Sequence, residues 1–416
     1  MTVNYLVIGN SSAGMAAAQA IRARDDKGEI IVVGEEDHFC YYRPNLDSVV
    51  AGQRSAEEIY LYDQKLYDQN NIQLKRGKRV YQVLPKDKKV LVEGEGELTY
   101  DRLLVASGAW PRQAPWQKVP YSGVANLRNI RDAQQIISLI SDTERAVVVG
   151  GGLLGIDMAQ ALNERRIPVT HLVREKFLGS VILDSQGGRI IAAKSRAAGV
   201  ELAVEEEVLE VVAKDGRVAG VKTSKGRILD CQLVIACIGV LPRVDFLAGS
   251  DIVIDRGVIV NRYLESSIPD IYAAGDVAQV PDWISGENIN QTSWFNSTWQ
   301  GTAAGANMVS RESTVYKDIS YNYIDIYALN QTSFGSIHPK LADEILTGDY
   351  PQGDNYKKLF VRGDKLIGGM FLTEGVEDLW GFVDVVKAQL GIGPFKSELL
   401  KKEFNIKAVG KRAKND

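Results

Sequence analysis

GNSSAG, from Gly9 to Gly14, and GGGLLG, from Gly150 to Gly155, are the two stretches whose reading decides the fold. Each follows an apolar run that reads as a short buried strand, Val3 to Ile8 (VNYLVI) before the first and Ala146 to Val149 before the second. Each precedes a helix-compatible stretch, Ala13 to Ile21 and Asp157 to Leu162. That context is what a glycine turn needs before it signifies nucleotide binding. The glycines permit a tight turn and close backbone approach, and the helix start offers N–H groups and a partial positive charge to a pyrophosphate. Two such turns predict two dinucleotides on one chain. The second turn is complete. The first carries Ser11 at the middle glycine position, a replacement that adds only a hydroxymethyl group, itself able to bond a phosphate oxygen.

An acid about 20 residues beyond such a turn holds ribose hydroxyls. After the first turn, the strand Glu29 to Val33 ends just before Glu35 and Glu36, and either can serve. After the second, the strand Val169 to Val173 is followed directly by Arg174, with Glu175 and Lys176 behind it. An arginine there pairs with a 2′-phosphate and a carboxylate bonds a free 2′-hydroxyl, so the segment leans toward NADPH while Glu175 keeps NADH open. A third signal, IYAAGDVAQV from Ile271 to Val280, brings Asp276 to a close backbone approach, where its carboxylate can accept from a sugar or ribityl hydroxyl. The pattern predicts an α/β fold with two Rossmann-like dinucleotide-binding domains, one inserted in the other, plus a small C-terminal α+β domain. Residues 1–112 and 246–318 form the first, 113–245 the second and 319–416 the third, which carries alternating strands and an amphipathic helix from Gly375 to Leu390.

With these motifs in this order, the chain resembles the FAD-dependent pyridine nucleotide–disulfide oxidoreductases. Within them it is most similar to NAD(P)H:rubredoxin and ferredoxin reductases and to the flavin part of nitrite reductase large subunits. YYRPNLDSVVAG (Tyr41 to Gly52), YDRLLVASGAWPR (Tyr100 to Arg112), LVIACIGVLPRVDFL (Leu233 to Leu247) and SWFNSTWQGTAAGANM (Ser293 to Met308) carry the resemblance besides the turns. It implies FAD contacts at Gly9, Ser11, Ala13, Gly14, Glu35 or Glu36, Arg43, Pro44 and Val80, then at Ala106, Ser107, Gly108, Gly275, Asp276, Gln300 and Gly301. The implied NAD(P)H contacts are Gly150, Gly152, Leu154, Gly155, Asp157, Arg174 and Gly239. Many relatives pair a lysine at the position of Ser48 with a glutamate at that of Asp157. Ser48, Asp157 and Arg43 are therefore the candidate catalytic residues, and the missing cation implies a lower flavin potential or an altered semiquinone.

The 416 residues, 45% hydrophobic and 25% charged, fit a large globular enzyme of two to three domains. A net charge of −4 gives no global nucleic-acid signature. No apolar run approaches a membrane span and no signal peptide opens the chain, which reads as cytoplasmic. Three cysteines and three histidines leave little for metal binding, and none is expected. No CxxC pair exists, so a thiol–disulfide relay is excluded; Cys231 and Cys237 read as core, and Cys40 as a buried loop thiol with a redox role left open. The tail from Lys401, with Lys402, Lys407, Lys411, Arg412 and Lys414, is basic and reads as a solvated end or a docking surface for an acidic carrier. The resemblance implies hydride transfer from NAD(P)H to flavin and onward delivery to a rubredoxin- or ferredoxin-like protein or a partner redox subunit, with a homodimer open. A direct NAD(P)H oxidase and a non-catalytic flavoprotein subunit are the alternatives.

Overall fold

A computed structural model describes residues 2–348, 356–374, 379–401 and 404–412. The elements that build the two turns and their sheets are, in chain order, β1 (Asn4–Ile8), α1 (Ser12–Arg22), β2 (Glu29–Val33), α2 (Leu46–Ala51), β3 (Ile72–Lys75), β4 (Arg102–Val105), β5 (Ala146–Val149), α3 (Leu153–Glu164), β6 (Val169–Val173), β7 (Glu201–Val204), β8 (Leu233–Ala236), β9 (Ile271–Ala273) and α4 (Trp294–Val309). The first sheet has the order β9-β4-β1-β2-β3 and is parallel throughout. The second has the order β7-β6-β5-β8 followed by the short strand Val124–Ala125, again parallel. The orders correspond strand for strand, which identifies each sheet as a Rossmann-like unit. Apolar runs such as AVVV in β5 are buried at every residue, as expected of strands covered on both faces. Each glycine turn leaves the central strand where the strand order reverses, the position at which open α/β sheets bind ligands.

The chain divides into two compact units. One comprises residues up to Tyr42, Ile59–Trp110 and Leu241–Tyr321; the other comprises Arg43–Glu58, Pro111–Val240 and the chain from Asn322 onward. This grouping differs from the sequence expectation in two places. The segment Arg43–Glu58, which holds Pro44 and Ser48, belongs with the second turn and not the first, because α2 packs on α3. The C-terminal segment also clusters with the second unit: Tyr327 N–H donates to Gln160 on α3 at 2.9 Å, and Lys358 pairs with Asp184.

That C-terminal segment forms a five-stranded sheet, with Leu329–Gly335 and Tyr356–Arg362 flanking Lys365–Thr373. Phe382, on the helix Trp380–Lys387, meets Phe371 edge to face at 5.2 Å between ring centroids. The described helix is shorter than the expected Gly375–Leu390. Residues 375–378 lie outside the described residues, and the C-terminal end stops where Gln389 takes a φ of 52°. Of the basic tail, Lys402 and Lys414 lie outside the described residues, while Lys401 pairs with Glu398 at 2.7 Å.

Candidate dinucleotide sites

The two turns are built to the same dimensions. Gly9 has a φ of 122° and Gly150 one of 121°, in the region that favours glycine. A Cβ on Gly9 would lie 2.1 Å from the Ala106 carbonyl oxygen, and one on Gly150 would lie 2.2 Å from that of Cys237. Gly14 and Gly155 pack just as closely, each 1.9 Å from the carbonyl oxygen of its own turn's first glycine once a Cβ is added.

The middle position behaves differently, which explains Ser11. Ser11 and Gly152 are the N-cap residues of α1 and α3, both extended, with φ of −143° and −80°. Neither conformation requires glycine, and a Cβ on Gly152 would meet only Val181, at 3.9 Å. Serine therefore leaves the turn intact. Its side chain does not cap α1, and Gly152 has none to cap α3 with. By contrast Asn129, Asp184 and Ser293 cap their helices with side-chain oxygens. The starts of α1 and α3 thus keep their first N–H groups for an anion. This uncapped glycine cradle, present in both units, fits the pyrophosphate of a dinucleotide.

Around the first turn, Asn10 is held by Tyr67, whose hydroxyl donates to Asn10 Oδ1 at 2.8 Å, and by the His38 carbonyl, which accepts from Asn10 Nδ2 at 3.0 Å. Glu35 forms an ion pair with Arg243, whose guanidinium also lies over the Trp110 ring at 4.6 Å. Glu36 accepts from the Tyr41 hydroxyl at 2.6 Å. Ser107 donates to the Arg243 carbonyl at 2.8 Å, and Gly108, with a φ of 68°, accepts the Arg243 N–H at 2.9 Å. Val80 is buried at the start of the strand Val80–Leu84. Gln300 is fully buried and accepts the Gly275 N–H at 2.8 Å, fixing the backbone immediately before Asp276. A Cβ on Gly301 would lie 2.1 Å from the Ala13 carbonyl oxygen, so this glycine brings α4 against α1. The contacts of Arg243, Trp110, Asn10 and Tyr67 are not legible in the sequence, because each joins residues distant along the chain.

In the second unit, Arg43 donates to the Arg128 carbonyl, just ahead of the capping box of Asn129 and Asp132. Leu154 is exposed on the first turn of α3, and Gly239 has a φ of 100°. Burial, then the nearby carboxylates Asp47 and Asp325, push the Asp157 carboxyl well above the usual range. Asp47 is also raised, chiefly by burial, with Glu164 adding to it. A raised carboxyl stays protonated in the fold while the unfolded chain ionises, so its penalty grows as pH rises above the unfolded value near 4. Asp157→Asn is therefore expected to unfold at higher denaturant than the parent at pH 8 and at the same denaturant at pH 4. An equal shift at both pH values would exclude this origin.

His171 on β6 is the residue whose role no motif announced. Its Nε2 lies 2.8 Å from the Gly150 carbonyl oxygen, which can only accept, so Nε2 carries the proton. Nδ1 is buried and, among the described residues, has no partner. Burial pulls the imidazole down to about 4, outweighing the bond to Gly150. Stability from its neutral form is complete above about 6.5 and lost as pH falls toward 4, about 3 kcal/mol in all. Denaturant melts between pH 7 and pH 4 should show that loss in the parent and lack it in His171→Gln.

All three cysteines are buried, and none forms a disulfide among the described residues. Burial pushes the Cys231 thiol up to about 12 and Cys237 higher still, which keeps both protonated and inert. Among the described residues, no cluster of three or more His, Cys, Asp or Glu could hold a metal ion, and no helix is long and apolar enough to cross a membrane.

Paired turns of this geometry define a two-dinucleotide oxidoreductase. Residues 3–301 match the pyridine nucleotide-disulphide oxidoreductase family, and the chain belongs to it, with FAD and NAD(P)H as its cofactors. The chain is 27% identical over 374 residues to nitrite reductase [NAD(P)H] of Bacillus subtilis, covering 89% of this chain but 46% of that protein. It is 26% identical over 366 residues to NADH-rubredoxin oxidoreductase of Clostridium acetobutylicum, covering 88% and 89% respectively. Among solved structures, the covalent putidaredoxin reductase–putidaredoxin complex matches with a TM-score of 0.91 at 24% identity, covering 100% of this chain and 99% of that one.

Proposed function

We propose that this protein takes hydride from NAD(P)H and passes electrons to a small iron–sulfur protein, or to a partner redox subunit that carries such a centre. The observation that carries this reading is the pair of uncapped turns, each closed on its own crossing strand, one per unit. FAD, when bound, accepts two electrons together and releases them singly, which suits a one-electron acceptor. The protein's share is to bind and orient. The starts of α1 and α3 hold pyrophosphates, Glu36 and Asp276 take sugar or ribityl hydroxyls, and Gln300 fixes the backbone before Asp276. The buried thiols offer no nucleophile, which disfavours a cysteine-dependent peroxidase. A relative named as an NADH-rubredoxin oxidoreductase, matched over 89% of its length, supports the acceptor class.

The acceptor is tested by reoxidising the reduced holoenzyme with added rubredoxin or ferredoxin and, separately, with air. Reoxidation by the iron–sulfur protein many times faster than by air is expected; the reverse order would make the protein an oxidase. Restoring the cation that relatives carry, with Ser48→Lys, is expected to raise the flavin potential and lower the pKa of Asp157. An unchanged potential and photoreduction spectrum would count against a role for position 48.

A further inference from the structure

Each turn is braced by a different residue. Gly9 N–H donates to the Val33 carbonyl at 2.8 Å and Gly150 N–H to that of Leu172 at 2.9 Å, so the two units can be laid residue on residue. Val32 then stands where His171 stands, and no imidazole from that strand position holds the carbonyl of the first turn's leading glycine. Asn10 stands where Gly151 stands, and Gly34 where Val173 does. In each unit one member of the pair is glycine and makes room for the other. A Cβ on Gly34 would lie 2.8 Å from Asn10 Cβ, and one on Gly151 would lie 2.6 Å from Val173. The second unit fills that space with an apolar side chain from the strand, whereas the first fills it with a carboxamide from the turn itself.

That carboxamide is fixed at both ends. The His38 carbonyl can only accept, so Asn10 Nδ2 faces it at 3.0 Å, and Oδ1 is left to accept from the Tyr67 hydroxyl at 2.8 Å. The same hydroxyl oxygen accepts the Cys40 N–H at 3.2 Å. Tyr67 is fully buried on the helix Gln64–Gln69, its ring centroid 5.7 Å from that of Phe39. One hydroxyl thereby joins the turn to residues 36–41, a segment closed on itself where the Tyr41 hydroxyl donates to Glu36 at 2.6 Å. We propose that Tyr67 is a positioning residue for the flavin dinucleotide: acting through Asn10, it holds the first turn in register with the Glu36 segment and slows the release of FAD, without acting on the second turn. Burial keeps water from replacing these bonds, so removing one member loosens the others. This rests on the reading of the first unit as the FAD seat.

Release of FAD from the diluted holoenzyme, read as the rise in free-flavin fluorescence, tests it. Tyr67→Phe keeps the buried ring and removes only the hydroxyl, and is expected to release FAD about tenfold faster than the parent. Asn10→Ala should release it at least as fast, and the double variant little faster than Asn10→Ala alone, because the hydroxyl acts through the carboxamide. Calorimetric titration of the Tyr67→Phe holoenzyme with ADP-ribose should give the parental affinity at the second turn. Parental release from Tyr67→Phe, or accelerations that multiply in the double variant, would reduce Tyr67 to a packing residue and overturn the proposal, as would an equal loss of ADP-ribose affinity. Flavin kept by Gly14→Ala but lost by Gly155→Ala would instead seat FAD on the second turn and overturn the reading on which the proposal rests.

Discussion

Gly14→Ala is expected to yield protein without flavin, whereas Gly155→Ala should retain flavin that NAD(P)H cannot reduce. Both follow from the same clash. The added methyl carbon would lie 1.9 Å from the carbonyl oxygen of Gly9 in one case and of Gly150 in the other. That obstacle is backbone, so no rotamer change relieves it. Relief requires the helix start to move away from the turn, and with it the N–H groups that hold the pyrophosphate. Overpacking of this kind costs about 3 kcal/mol, which corresponds to more than a hundredfold in nucleotide affinity. In Gly155→Ala the methyl would also come within 3.2 Å of His171 Nε2, threatening the bond that fixes the Gly150 carbonyl. Flavin content by absorbance, followed by steady-state reduction of an artificial acceptor, separates the two variants. Gly155→Ala with parental turnover would show that the second turn does not seat the reductant.

Gly301→Val should destabilise the first unit by about 3 kcal/mol or more and lower Tm by roughly 6–12 °C. Helix α1 is buried along most of its length through Ala13, Gly14, Met15, Ala16, Ala17, Ala18 and Ala20. Small residues on α4 face it: Cβ atoms on Gly301 and Gly305 would lie 2.1 and 2.4 Å from the carbonyl oxygens of Ala13 and Ala17. The valine must push α4 outward along this contact, and Ala13 and Gly14 belong to the flavin turn itself. Loss of flavin should therefore accompany the loss of Tm. A stable, flavin-loaded Gly301→Val protein would mean that the close helix contact is dispensable.

Gly301 also shows where sequence reading stops. The resemblance implies a flavin contact there, and the structure adds that this glycine admits a neighbouring helix, a role that needs the partner's position and not its own motif. The fold was legible because its signals are local: a strand, a glycine turn and a helix are contiguous, and they occur twice. The extended N-cap backbone at Ser11 does not require glycine, which accounts for a serine at that position. Long-range pairings were not legible. Glu35 and Glu36 are equivalent candidates by position alone, and only the fold shows that Arg243, far along the chain, pairs with Glu35. The packing of α2, which carries Ser48, on α3 was not legible either, since it groups Arg43–Glu58 with the second unit. His171 looked like an ordinary strand residue; only its reach to the Gly150 carbonyl reveals that it supports the turn.

Anaerobic mixing of the FAD-loaded protein with NADPH, and in parallel with NADH, tests most directly the proposal that NAD(P)H reduces the flavin. Rapid bleaching of the oxidised flavin band is predicted. A flavin that stays oxidised with both nucleotides, while still reducible by dithionite, would contradict it.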